Sequence, residues 1–236
     1  MKEQKNLTLA AYDSIKEMML NYDIVPGQRL VFMDLAKQLG VSRTPVNNAL
    51  SILAKEGYLD FVPHQGYSVH RLTRKEAEGL YEVREILEVG TIGKAIRRMT
   101  DERLARIQRR RDDYQQAITD RVHRKLFVLD AEFHASIIEM IDNEYLVERY
   151  REICRKIFLR FRTEDLRMKR INDIVREHEE LFEAIRIRDV DHAKELITTH
   201  NANARKNLFA IIFRDEKSIE KIKTQPVASE AASATA

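Results

Sequence analysis

The chain has 236 residues, 44% of them hydrophobic, a net charge of +3 and one cysteine, Cys154. This length and apolar content suit one large domain or two small ones with packed cores, and a single cysteine excludes an internal disulfide. No apolar run approaches the roughly 20 residues of a membrane span, and the charged N-terminus lacks the apolar core of a signal peptide, so we expect a cytoplasmic protein with no membrane association.

The first part of the chain predicts a winged helix-turn-helix. Apolar residues at helical spacing predict helices at 7–21 and 33–39, and a third helix within 41–57. Alternating residues then predict two short strands, at 58–62 and 67–70, joined by a hairpin tip that forms the wing.

The segment 41–57 has the pattern of a recognition helix. We expect Thr44 to be the N-cap, Pro45 to take the first helical position and Gly57 to end the helix. One face of this helix is apolar and faces the domain core. The other face is small and polar, as a helix in the major groove requires, and it presents Arg43, Asn47 and Asn48 to base edges.

The rest of the chain predicts an almost entirely helical bundle. Thr73 and Glu76 have the spacing of a capping box that starts it. The expected helices lie at about 74–98, 101–118, 121–141, 143–164, 172–187 and 190–213. The predicted fold is therefore mainly α, with a DNA-binding domain at 1–72, a helical effector-binding and dimerisation domain at 73–214, and a disordered tail at 215–236.

Four side chains in the bundle have the chemistry of a metal site. Asp130 and His134 are four residues apart, so they stack on one helix face, and neighbouring apolar residues turn that face inward. His178 and His200 also lie on apolar faces of their helices. One carboxylate and three imidazoles suit zinc, nickel, manganese or a similar divalent ion. The alternative is that these are separate core histidines, each bonded to a backbone carbonyl.

Arg84 and Glu88 form a second pair at a spacing of four residues. Such a pair is commonly a solvated surface ion pair that contributes tenths of a kcal/mol. The functional alternative is a buried arginine that faces the metal site and binds a carboxylate end-on.

Short motifs in both halves of the chain identify a family. In the first half they are Pro26-Gly27-x-x-Leu30, Leu35-Ala-x-x-Leu-Gly-Val-Ser-Arg-Thr-Pro-Val46, Leu53-Ala-x-Glu-Gly57 and Gly66-Tyr67-x-Val69. In the second half they are Glu82-Val-Arg84-x-x-Leu-Glu88, Asp130-x-x-Phe-His134-x-x-Ile137, His178-x-x-Leu-x-x-Ala-Ile185 and the segment from Asp189 to His200. Together they resemble the GntR family of bacterial transcription regulators, in its FadR-like branch with an FCD effector domain.

The resemblance implies a cytoplasmic homodimer that binds a pseudo-palindromic double-stranded operator. The expected mode is a repressor that a small organic or sugar acid releases from DNA. The resemblance also implies that Asp130, His134, His178 and His200 hold a divalent metal, most simply zinc, and that the effector carboxylate completes the metal shell beside Arg84. Glu88 and Asn203 are further candidates for the effector site.

The chain departs from the family pattern after Pro45-Val46, where the usual Arg-Glu is Asn47-Asn48. We therefore expect a half-site that keeps a guanine for Arg43 but differs beside it. Ser42 and Thr44 are expected at phosphates, because short hydroxyls at a helix N-terminus face the DNA backbone. Gln65 and Gly66 at the wing tip are expected at the backbone or minor groove.

Three other functions compete with this prediction. In one, the ion itself is the effector of a metal sensor. In another, arginines hold a sulfate or phosphate beside a site without metal. A metal-dependent hydrolase is disfavoured, since no His-Glu-x-x-His arrangement, nucleophile elbow or phosphate loop is present in the sequence.

Overall fold

A computed structural model describes residues 2–122, 125–159 and 168–213. Within these ranges the chain forms nine helices and three short strands, which confirms the mainly α class. The predicted tail at 215–236 and the predicted helix end at 160–164 lie outside the described residues. The elements are α1 (Lys2–Leu20), β1 (Arg29–Leu30), α2 (Phe32–Leu39), α3 (Arg43–Lys55), β2 (Leu59–Val62), β3 (Gly66–Val69), α4 (Arg74–Arg97), α5 (Asp101–Thr119), α6 (Leu126–Glu139), α7 (Glu144–Phe158), α8 (Met168–Arg186) and α9 (Val190–Ile212).

The N-terminal elements form the predicted winged helix-turn-helix. The strands make an antiparallel sheet in the order β1-β3-β2, with Arg29 opposite Ser68 and Leu59 opposite Val69. The two-residue strand β1 was missed, because two residues are too few for an alternating pattern. The apolar sides of α1, α2 and α3 bury a core under this sheet, and the core side chains include Ile15, Met19, Val46, Leu50 and Leu53.

The start of α3 corrects one prediction. The helix begins at Arg43, and its N-cap is Ser42 rather than Thr44. Pro45 is therefore the third helical residue, where its missing N–H still costs nothing because the first four N–H groups of a helix have no intrahelical acceptor. The end of α3 is as expected. Gly57 adopts a φ of 79°, and the N–H of Tyr58 reaches back to the carbonyl of Leu53 at 2.9 Å.

The C-terminal helices pack into one bundle with α4 at its centre. Helix α4 packs against α6, α7 and α9, and the apolar faces of these helices form the largest core of the protein. Helix α6 begins at Leu126, five residues later than the predicted 121. Arg121 adopts a left-handed φ of 57° just after α5, and the N–H of Val122 bonds the carbonyl of Ala117 at 2.8 Å. Residues 121 and 122 therefore belong to the end of α5 and not to the start of α6.

The capping box that starts α4 is confirmed. The Glu76 N–H donates to Thr73 Oγ1 at 3.3 Å, and Glu76 Oε2 accepts from the Thr73 N–H at 2.9 Å. His70 lies between this box and the wing, with Nδ1 2.7 Å from Asp60 Oδ1 and Nε2 3.0 Å from Glu76 Oε1. These contacts tie strand β2 of the winged domain to the first turn of α4.

Replacing Thr73 by alanine is expected to lower the free energy of unfolding by about 1 kcal/mol, the usual effect of removing an N-cap hydroxyl. The reason is that the Glu76 N–H loses its acceptor. Urea denaturation followed by circular dichroism measures the change. Lys75→Ala is the matched control, because Lys75 is exposed in the same turn. Equal stability of the two variants would contradict the prediction.

The winged domain also contacts the C-terminal end of α7. Leu159 directly follows this helix and is buried in the core of the winged domain. Arg155, one turn earlier, lies beside Lys16 and Tyr58. The predicted boundary between 1–72 and 73–214 is thus crossed by contacts at α7 as well as by the start of α4.

Among the described helices, none combines the length and the apolar character that crossing a bilayer demands.

Candidate metal centre and DNA-binding surface

The four predicted metal ligands lie together inside the bundle. Helix α6 supplies Asp130 and His134, α8 supplies His178 and α9 supplies His200, and all four are buried. Their possible ligand atoms lie within 4.8 Å of one another. The histidines therefore do not lie apart in the core, and the alternative of three separate histidines is wrong.

The atomic arrangement fits a divalent metal ion. Asp130 Oδ1 is 3.2 Å from His178 Nε2, 3.4 Å from His200 Nε2 and 4.0 Å from His134 Nε2. Donors that share an ion at bond lengths of about 2.1 Å lie roughly 3–4 Å apart. Nε2 of His134 and Nε2 of His200 are buried without a hydrogen-bond partner. Buried polar atoms seldom lack a hydrogen-bond partner, and here the two unpartnered nitrogens converge on one carboxylate.

A carboxylate on the neighbouring helix α8 orients the imidazole of His200. Glu177 Oε2 accepts from His200 Nδ1 at 2.8 Å, which leaves His200 Nε2 directed at Asp130. Such a partner fixes the tautomer and the ring orientation of a metal-binding histidine. Glu88 Oε1 lies 3.3 Å from His134 Nδ1, with no hydrogen bond between them.

The electrostatics favour the protonation state that metal ligation needs at Asp130, His134 and His178, but not at His200. Burial lowers the pKa of His134 well below its ordinary value and also lowers the pKa of His178, so both imidazoles are neutral. Burial alone would raise the pKa of Asp130, but Arg84 and hydrogen bonds from the imidazoles outweigh it and hold the pKa well below its usual range. Burial opposes a charge on His200 too, yet Asp130 and Glu177 raise its pKa. The structure thus provides a carboxylate and two neutral imidazoles, with His200 held between two carboxylates.

Arg84 is a buried residue and not half of a surface ion pair. Its side chain is 1% exposed; Nε donates to Glu88 Oε1 and Nη2 donates to Asp130 Oδ2, both at 3.2 Å. Glu88 also accepts from Tyr150 Oη at 2.7 Å and from Asn201 Nδ2. This network joins α4, α6, α7 and α9 directly behind the four candidate metal ligands, which we call the metal cluster after the role proposed below.

A cavity of about 30 Å³ lies beside the cluster. We call it the effector cavity after the role proposed below. Arg84, Asp130 and His200 line its end at the metal cluster, and its walls are mostly apolar, with Tyr81, Phe158 and Leu208 among them. A polar end beside a metal site and an apolar wall are typical of small-molecule sites.

The other predicted effector residues lie elsewhere. Glu88 is behind Arg84, bonded to it, and does not line the effector cavity. Asn203 donates from Nδ2 to Glu177 at 2.8 Å and lines an outer groove between α8 and α9. Asn207, one turn later on α9, and Arg170 on α8 line both this groove and the effector cavity. Neither residue was predicted, although Asn207 and Ile211 continue the face of α9 that carries His200 and Ala204.

The predicted DNA-contacting residues lie at the N-terminal part of α3 and at the tip of the wing. The apolar side of α3 is fully buried, while its opposite side faces solvent. Over the described part of the chain, Arg43 makes no ion pair that would hold it away from a partner. The exposed residues among them are Ser42, Arg43, Thr44, Asn47, Asn48 and Gln65, and Gly66 is half-buried at the wing tip with a φ of 83°.

Two family models match the chain, one in each of the two domains. Residues 7–69 match the gntR family of bacterial regulatory proteins, and residues 79–203 match the FCD domain. The second match alone covers more than half of the chain.

Among curated proteins, the uncharacterized HTH-type transcriptional regulator YdhC of Bacillus subtilis is 27% identical over 81% of this chain and 86% of its own. The Nta operon transcriptional regulator of Aminobacter aminovorans is 32% identical over 59% of this chain and 66% of its own. Among solved structures, McbR/YncC of E. coli superposes with a TM-score of 0.73 at 22% identity, over 89% of this chain and 98% of that one.

Proposed function

Because the chain belongs to the GntR family of bacterial DNA-binding transcription regulators and carries an FCD effector domain, we propose that it is a repressor released by a metabolite. The family resemblance predicted from sequence is confirmed, and the protein is a regulator and not an enzyme. In this proposal a cytoplasmic homodimer binds a palindromic operator, and a small carboxylate bound in the effector cavity ends that binding.

One observation carries the metabolite part of the proposal: Asp130 and His200, two of the four clustered residues, line the effector cavity beside Arg84. A divalent ion held by these four residues, zinc in the simplest case, would supply a Lewis-acid position for one carboxylate oxygen. Arg84 would donate a charge-assisted hydrogen bond to the same carboxylate. The apolar walls would exclude water from around both contacts.

Helix α7 is positioned to carry the signal to the DNA-binding domain. Tyr150 on α7 donates to Glu88 in the Arg84 network, and Phe158 near its end lines the effector cavity. Leu159 then enters the core of the winged domain. We infer that a ligand that moves Arg84 or Phe158 displaces α7 and with it the winged domain. A shift of a few Å would separate two recognition helices that must meet half-sites about one helical turn, roughly 34–36 Å, apart.

Removal of one metal ligand is expected to abolish metal retention. His178→Gln and His134→Gln should each lower the bound zinc from about one ion per chain to less than 0.2, because three ligands bind far more weakly than four. Elemental analysis of dialysed protein measures the metal content. His192→Gln is the matched control, since this exposed histidine lies outside the cluster. Full metal content in the cluster variants would contradict the metal site.

Selection of bound DNA from a random pool, with and without a chelator, tests the proposed function. We expect a palindromic consensus with a guanine in each half for Arg43, and bases beside it that differ from the family half-site because of Asn47 and Asn48. An organic-acid panel added to the consensus complex should then release the protein. An ordinary family consensus would overturn the half-site prediction, and no enrichment at all would overturn the operator.

A metal-sensing regulator is the alternative function. It predicts that the ion exchanges readily and that its removal alone releases the operator. In our proposal the ion survives purification, and the carboxylate is what changes DNA affinity.

A further inference from the structure

A second buried arginine faces the effector cavity. Arg170, near the start of α8, is 6% exposed and lines the cavity together with Arg84, Asp130 and His200. It lies two helical turns before His178 on the same face of α8, and Ile174 between them also lines the cavity. The arginine is therefore part of the ligand-facing wall.

The guanidinium of Arg170 has a buried donor that makes no hydrogen bond. Nη1 donates to Glu177 Oε1 at 2.6 Å, while Nη2 is buried and has no hydrogen-bond partner. A buried charged donor without an acceptor is costly, so such groups are usually paired with protein or ligand. Arg84 differs, since it is already held by Glu88 and Asp130.

The unused donor of Arg170, rather than the net charge of the cavity, points to a second ligand group. Arg84 is paired with Glu88 and Arg170 with Glu177, so the charges of these four side chains cancel. Asp130 and a divalent ion would then leave a small positive charge, which one ligand carboxylate neutralises. A second anionic group next to Arg170 would give its buried Nη2 an acceptor.

We propose that Arg170 is a second anion-binding residue of the effector cavity, and that the effector carries two anionic groups. One carboxylate binds at Arg84, beside the residues that would hold the metal ion, and the second group, a carboxylate or a phosphate, binds Arg170. This inference rests on the proposed function, because it names the ligand class of the same cavity. Asn207, which lines the cavity on the adjacent helix α9, is placed to add an amide donor to the same anion.

The competing role for Arg170 is purely structural. It bonds Glu177, which in turn orients His200, so its loss could act through the metal site alone. The two roles predict different results. A structural arginine affects every ligand and the metal content together, whereas an anion-binding arginine affects only ligands with two anionic groups.

The test compares matched ligands on the purified full-length protein with its metal. Dicarboxylates from malonate to adipate are each paired with the monocarboxylate of equal chain length, and phosphoglycolate is paired with glycolate. Thermal shift and calorimetry give the affinities, and elemental analysis gives the metal content. We expect at least one dianion to bind at least tenfold more tightly than its partner. Arg170→Gln should abolish this preference for the dianion, leave monoanion affinity within threefold and keep the metal. Arg170→Lys should keep part of the preference for the dianion.

Arg176→Gln is the matched control, because Arg176 is an exposed arginine on the same helix, paired with Asp173. It should leave every affinity unchanged. The inference would be overturned if dianions and monoanions bound equally tightly. It would also be overturned if Arg170→Gln lost affinity for both kinds of ligand equally and lost its metal. Either result would leave the proposed function standing. If no carboxylate bound while the operator selection succeeded, the inference and the metabolite part of the proposed function would both fail.

Discussion

Arg43→Ala is expected to weaken binding to the selected operator by about 2–6 kcal/mol, roughly 30-fold to 10⁴-fold. A bidentate contact between arginine and guanine contributes about 1–3 kcal/mol of discrimination, and a homodimer makes the contact in both half-sites. Arg43 is the first residue of α3 and is exposed at its N-terminal end, where recognition helices meet base edges. Fluorescence anisotropy with operator and with random DNA at a fixed salt concentration measures the effect.

A control variant distinguishes sequence-specific contacts with bases from nonspecific electrostatic attraction to DNA. Lys55→Ala removes one exposed cation at the other end of the same helix and should change operator and random DNA affinity by similar, small amounts. Arg43→Ala should weaken operator binding far more than random binding. If it weakened both equally, Arg43 would contact only phosphate, and specificity would depend on Asn47, Asn48 or the wing.

Glu88→Ala is expected to lower the free energy of unfolding by about 3–5 kcal/mol, the usual result of removing one partner from a buried ion pair. The carboxylate is 2% exposed and accepts from Arg84, Tyr150 and Asn201, so its removal leaves a buried cation with Asp130 alone and two neutral donors without acceptors. Chemical denaturation of the metal-loaded protein measures the change.

Two further variants identify the cause of the lower free energy of unfolding. Glu82→Ala, on the exposed side of α4, should stay within about 0.5 kcal/mol of the unmodified protein. Glu88→Gln keeps an acceptor for Tyr150 but removes the charge, so a large loss in this variant assigns the effect to Arg84. A loss below 1 kcal/mol in Glu88→Ala would show that the network contributes little to stability.

The order of the elements and the metal cluster could be predicted because both depend on local spacing. Asp130 and His134 share a face at four residues, and His178 and His200 lie on the buried sides of amphipathic helices. Packing of those helices into one bundle then brings the four side chains together. The alternative of a surface pair for Arg84 failed because spacing does not say whether an ion pair faces solvent or the core.

Two features could not be predicted, for different physical reasons. Several helices end where a residue other than glycine is left-handed, such as Arg121 with a φ of 57° and Arg188 with a φ of 64°. No glycine marks these ends, and the Arg188 side chain is held there by carbonyls of Ile96 and Met99, which only the fold brings near. Arg170 was missed because α8 begins at Met168 and not at the predicted 172, so Arg170 lay outside the predicted helix and its spacing of eight residues from His178 was not considered.

The volume of the effector cavity, about 30 Å³, has a consequence for affinity. This is roughly the space of one or two water molecules, so the bundle would have to expand for a metabolite to bind. If the expanded form were about 1% of the population, the measured dissociation constant would be about 100-fold weaker than that of the open site. Trimming Phe158 or Leu208 would then raise the open population and tighten binding. The free energy of opening the cavity would thus raise the effector concentration at which the regulator responds.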